Sequence, residues 1–157
     1  MKIKILVLDV DGTLTDGKIY MSSDGELIKA FNIKDGYALS RINKSGIEPI
    51  IITGRTSEIV KRRCEELGIT ELYQGIDDKV SCLKQVCKNK EVPLEQCAYI
   101  GDDLNDLDCM MLCGNKAAPA DAVKEVKEIV NFVCKNRGGD GAVREYCDYL
   151  MKYAYEN

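Results

Sequence analysis

Histidine is absent from the 157-residue chain. That excludes a histidine general base and a phosphohistidine intermediate. The eight cysteines, at 64, 82, 87, 97, 109, 113, 134 and 147, form no CxxC pair. A structural zinc site would have to gather four scattered thiols, so small, reduced, partly buried side chains are expected instead. Reduced thiols imply a reducing compartment. A basic excess is lacking too: 22 Lys+Arg stand against 26 Asp+Glu, a net charge of −4. No nucleic-acid-binding motif accompanies that balance, and no nucleic-acid partner is expected. No apolar run reaches membrane-spanning length, so no membrane partner is expected. The opening stretch MKIKILVLDVDG has no signal-peptide profile, and cytoplasm is the expected location. Internal repeats and low-complexity segments are missing as well.

What is present suits one domain over residues 1–157: 45% of the chain is hydrophobic, enough for a sizeable core. Ile3, Ile5, Leu6, Val7 and Leu8 read as a central parallel strand buried on both faces. Residues 16–31, with a Ser-Ser-Asp-Gly turn between apolar runs, predict a projecting β-hairpin. Helices are expected over 35–44, stopped by Gly46, and over about 57–67, stopped by Gly68. Further helices are marked by Val80 to Cys87, Leu107 to Leu112, Val123 to Val130 and Val143 to Met151. Strands are expected at 48–52, 69–73, 97–100, 116–118 and 132–133. This alternation implies a doubly wound, mainly parallel, Rossmann-like α/β sheet. Ligands in such sheets bind beyond the carboxyl ends of the strands. The polar clusters Asp9/Asp11, Thr53 and Asp102/Asp103 all fall at such ends.

Closely spaced acids at the end of a buried strand are costly unless a cation or a reaction uses them. Asp9, Asp11, Asp102 and either Asp106 or Asn105 offer hard oxygen ligands, which favour magnesium over zinc. Thr53 and Lys79 can hold phosphate oxygens from other loops. Together these residues predict phosphoryl transfer. Asp9 is the expected nucleophile, forming an aspartyl-phosphate. Asp11 is the expected acid for the leaving alcohol and base for the hydrolytic water. Lys79 should steady Asp9 and the phosphoryl group, and Thr53 should hold that group by hydroxyl and backbone N–H. Asp103 and Asp106 are expected to support the ligands by hydrogen bonds or through water.

DVDGT at 9–13, Thr53-Gly54, Lys79 and GDDLND at 101–106 resemble the four motifs of the haloacid dehalogenase superfamily. The resemblance implies a magnesium ion held by the Asp9 carboxylate, the Asp11 carbonyl and the Asp102 carboxylate. Nearly the whole chain, including FNIKDGYAL, IITGRTSEIVKRRCEELGI, LYQGIDDK and GGDGAVREYCDYL, resembles the 3-deoxy-D-manno-octulosonate 8-phosphate phosphatase family. That implies a phosphatase for a sugar-acid phosphate, without a cap domain, assembled as a homotetramer through its hairpins. Related phosphatases act on nonulosonic acid 9-phosphates, and related domains are fused to sialic-acid cytidylyltransferases. Those two relatives leave a nine-carbon substrate and a non-catalytic oligomerisation module as alternatives. Arg55 beside Gly54 could grip a sugar carboxylate by a paired hydrogen-bond fork, and Arg55 with Glu66 resembles the octulosonate branch. Arg63 resembles a position that reaches the sugar across a subunit boundary. Gly138 and Gly139 are expected on the rim of the site. NKAAPADAV at 115–123 departs from the family pattern, which bears on substrate more than on catalysis.

Overall fold

A computed structural model describes residues 2–156. Six parallel strands build its main sheet: β1 (Ile5–Leu8), β4 (Glu48–Ile52), β5 (Leu72–Tyr73), β6 (Cys97–Ile100), β7 (Asn115–Ala118) and β8 (Phe132–Val133). Their order across the sheet is β5-β4-β1-β6-β7-β8. The chain therefore steps outward from β1 to β4 and β5, then returns to the other side of β1 for β6, β7 and β8. The reversal lies between β1 and β6, and a crevice opens at their carboxyl ends. Ile5 pairs with both Glu48 and Cys97, and Leu8 with both Ile51 and Ile100, so β1 is central.

Central position explains the unbroken apolar run. All four β1 residues are buried, and alternate side chains enter opposite cores. Leu6 and Leu8 meet α1 (Ile33–Lys44), α2 (Glu58–Leu67) and α6 (Ala142–Glu156). Ile5 and Val7 meet α3 (Lys79–Asn89), α4 (Leu107–Leu112) and α5 (Lys124–Ile129). Between β1 and α1 the chain inserts only a two-stranded antiparallel hairpin, β2 (Tyr20–Ser22) and β3 (Gly25–Ile28). No cap domain lies among the described residues. No helix among them is long and apolar enough to cross a membrane. All eight cysteines are free thiols.

Two elements differ from the sequence expectation. The strand expected over 69–73 shortens to Leu72–Tyr73. Gly68 ends α2 in the left-handed conformation, and the Ile69 N–H folds back onto the Cys64 carbonyl, which removes Ile69 from the sheet. Helix α1 starts at Ile33, because the Asn32 side chain accepts the Lys34 N–H and caps it earlier than expected. Asp35 then falls inside the first turn. It is buried and accepts the Arg144 N–H from the start of α6.

Candidate active site

The site begins where β1 ends. After Leu8 the chain turns tightly: the N–H groups of Thr13, Leu14 and Thr15 all converge on the Val10 carbonyl. Gly12 adopts φ +89 in this turn, and a Cβ there would run into the Asp102 carboxylate. The turn ends the strand alternation, so Asp9 and Asp11 take different partners. Asp9 is 6% exposed and accepts a hydrogen bond from Lys79 Nζ at 3.0 Å. Asp11 is half-buried, in direct ion pair with Lys29 and 4.0 Å from Arg55 Nε.

Lys79 reaches Asp9 from the first residue of α3, where Asp78 caps the helix. A cation is unfavourable at a helix amino terminus unless anions compensate it. Asp9 and Asp106 supply that compensation, the latter at 2.9 Å. Burial works against the ammonium, but the two carboxylates outweigh it and hold Lys79 above its usual pKa. Asp106 is fully buried and fully occupied. Its Oδ1 accepts Lys79 Nζ and the Tyr99 hydroxyl, and its Oδ2 accepts the N–H groups of Asp102 and Asp103.

Carboxylate oxygens of Asp9, Asp102 and Asp106 lie within 4.8 Å of one another. Lys79 alone cannot balance three such charges. Burial, then the charge of Asp106, raises Asp9 to about 6. Burial, then Asp9, Asp106 and Asp103, raises Asp102 to about 8. An all-oxygen donor set carrying surplus buried negative charge fits a hard divalent cation such as magnesium. With Asp106 occupied by four donors, Asp9 and Asp102 are the carboxylates free to ligate. The Asp11 carboxyl is outside this group, which leaves only its carbonyl for the ligand role that the resemblance implies.

The other expected residues fall in several places. Thr53 is buried directly after β4, but its N–H donates to the Tyr73 carbonyl in the sheet. Of the two groups expected to hold phosphate, the hydroxyl therefore remains. Gly54 and Arg55 follow on the exposed loop, with 46% of the Arg55 side chain accessible. Arg63 lies against Gly36 and over the Phe31 ring, where α2 packs on α1, and pairs with Glu66. Gly138 and Gly139 pack directly on the turn after β1. A Cβ on Gly138 would strike the Gly12 carbonyl, and the Gly139 N–H donates to the Thr13 carbonyl. Asp103 is exposed and caps the turn at 104–106, and Asn105 is exposed on that turn.

Sequence reading missed Lys29, Glu26 and Tyr99. Lys29 and Glu26 looked like ordinary hairpin polar residues. Tyr99 carried a weak signal, a hydroxyl inside an apolar strand two residues before Gly101-Asp102.

A model of haloacid dehalogenase-like hydrolases matches residues 68–145. Over 149 residues the chain is 45% identical to a 3-deoxy-D-manno-octulosonate 8-phosphate phosphatase of Escherichia coli K12, covering 95% of this chain and 79% of that protein. The fold also resembles the structure of that phosphatase from Moraxella catarrhalis, which contains magnesium, phosphate and the sugar acid. The TM-score is 0.94 at 40% identity, over 98% of this chain and 88% of that one. The cobalt-bound Haemophilus influenzae phosphatase gives a TM-score of 0.95 at 38% identity, over 98% of this chain and 90% of that one.

Proposed function

Because the chain belongs to the haloacid dehalogenase-like hydrolases, among the 3-deoxy-D-manno-octulosonate 8-phosphate phosphatases, we propose that it hydrolyses that sugar-acid phosphate with magnesium. The observation that carries this reading is the buried Asp9–Lys79–Asp106 chain beside Asp102, at the crevice between β1 and β6. It supplies a nucleophilic carboxylate, a fixed cation and a place for a second cation around one point. Asp9 and Asp102, with the Asp11 carbonyl, would hold magnesium. Bound magnesium offsets the negative charge of the phosphate and the carboxylates.

In the first half-reaction an Asp9 carboxylate oxygen attacks phosphorus and the bond to the sugar oxygen breaks. Protonated Asp11 gives its proton to that departing oxygen. In the second, Asp11 takes a proton from water, whose oxygen attacks phosphorus. The bond to Asp9 then breaks and inorganic phosphate leaves. Lys79 and the Thr53 hydroxyl hold the transferred group. The exposed Arg55 guanidinium, at the mouth beside Asp11, is suited to the sugar carboxylate. We assign Gly138 and Gly139 to the rim through the loop they support. Arg63 serves the sugar only if a neighbouring subunit presents it.

The proposal includes a homotetramer of single-domain chains in the cytoplasm. Exposed apolar residues on and before the hairpin support assembly: Ile19, Tyr20, Met21, Leu27 and Ile28 are all more than 40% exposed. The free thiols support a reducing location. A phosphate-release assay tests the activity. The eight-carbon 8-phosphate should exceed nonulosonate 9-phosphates and neutral sugar phosphates in kcat/KM, and chelation should remove turnover. Equal turnover of neutral sugar phosphates would defeat the substrate assignment. No release from any of them would leave a non-catalytic module.

A further inference from the structure

Lys29 sits at the base of the hairpin, just beyond β3, yet only 1% of its side chain is exposed. Its ammonium lies between two carboxylates, in ion pairs with Asp11 and, at 2.7 Å, with Glu26. Glu26 is anchored in turn, because the Ser57 hydroxyl donates to it at 2.6 Å. Ser57 is the N-cap of α2 and follows the Thr53-Gly54-Arg55 segment by two residues. One buried ammonium thus ties together the turn after β1, the hairpin and the loop after β4. Its burial leaves it no face for a substrate, whereas Arg55 on the other side of Asp11 is open.

We propose that Lys29 is a positioning residue for the reaction, fixing the Asp11 carboxyl at the mouth of the site from within the hairpin. This rests on the acid/base reading of Asp11. A carboxyl on a turn has several rotamers, and proton transfer to a leaving oxygen needs one of them. The double-anchored ammonium selects that rotamer. The hairpin therefore orients a reacting group as well as presenting an apolar surface.

The test compares two leaving groups. A sugar alkoxide needs a proton as it departs, whereas nitrophenolate does not. Lys29→Met should lower kcat on the sugar-acid phosphate by about 10- to 100-fold, with little change in KM. In kcat/KM, which ends at departure of the leaving group and so excludes the water step that Asp11 also serves, the loss on p-nitrophenyl phosphate should stay below about threefold. Lys29→Arg should recover most of the lost kcat. The Asp11→Asn/Lys29→Met double variant should be no slower than Asp11→Asn, because the two residues act as one unit. If Lys29→Met fails to fold, Glu26→Gln, which removes the second anchor, should show the same preference in leaving group with a smaller loss. Equal losses in kcat/KM on both substrates, while Asp11→Asn still discriminates between them, would overturn the proposal alone. Failure of Asp11→Asn to discriminate would overturn the acid/base reading and this proposal with it.

Discussion

Asp106 touches no substrate in the proposed reaction, yet it holds more of the site together than any other side chain described. Four donors converge on its two oxygens, one of them the Lys79 ammonium. Asp106→Asn would turn an amide NH2 towards donors and leave Lys79 with one carboxylate fewer. Losing one partner of a buried charge pair costs about 3–5 kcal/mol. Urea unfolding should show a loss of that order, together with a fall in kcat. Asp9→Asn should behave oppositely. It should abolish turnover, yet leave the metal-free protein as stable or more so, because ionised Asp9 is held unfavourably at this position. A clear drop in melting temperature would contradict this. The pH dependence follows from the same residues. Asp9 and Asp102 are raised from 3.8 to about 6 and about 8, so the folded metal-free protein binds more protons than the unfolded chain between those values. Its stability should therefore fall as pH rises from about 4 to 8. Magnesium requires the ionised carboxylates, so the melting-temperature gain it gives should be larger at pH 8 than at pH 5. An equal gain at both would count against Asp9 and Asp102 as its ligands.

At the scale of elements, the turn after β1 is held from two sides. The hairpin reaches Asp11 through Lys29, and the turn before α6 packs its backbone on Gly12 and Thr13 through Gly138 and Gly139. Gly138 meets the Gly12 carbonyl where no side chain fits. Gly138→Ala must push the two loops apart, at a cost of about 1–3 kcal/mol. It should also lower kcat, because Gly12 lies between Asp11 and the Asp102 carboxylate. A normal kcat in a folded Gly138→Ala protein would show that the turn does not position the site. The sequence marked Gly138 and Gly139 as glycines in a rim turn. Only the packing against residues 12 to 15 shows why they are glycines. The sequence also marked a hairpin over 16–31 but gave no sign that Lys29 turns inward. Alternation places side chains on faces of a strand, and it says nothing about a residue beyond the strand's end.

At the scale of the whole molecule, the hairpin leaves Met21 62% and Ile28 55% exposed. An apolar surface of this kind calls for a partner surface. Met21→Glu with Ile28→Glu should shift the proposed tetramer to smaller species in analytical ultracentrifugation while the melting transition of each chain persists. An unchanged sedimentation coefficient would remove the hairpin from the interface. Much of the fold was legible beforehand because a doubly wound sheet writes itself in local patterns. Buried central strands appear as apolar runs such as Ile5–Leu8 and Ile50–Ile52, and helices appear with glycine stops such as Gly68. The acids at 9, 11 and 102 stood out as candidates for a related reason: ionisable groups at the end of a buried strand are costly there unless they are paired or put to use. What the sequence left open depends on which groups meet across distance. That Asp11 faces Lys29, that the Thr53 N–H is consumed by the sheet, and that Asp106 accepts from Tyr99 were all decided by the tertiary structure. Periodicity is a property of neighbours along the chain, whereas a hydrogen bond between residues 70 positions apart exists only once the strands have paired and the helices have packed.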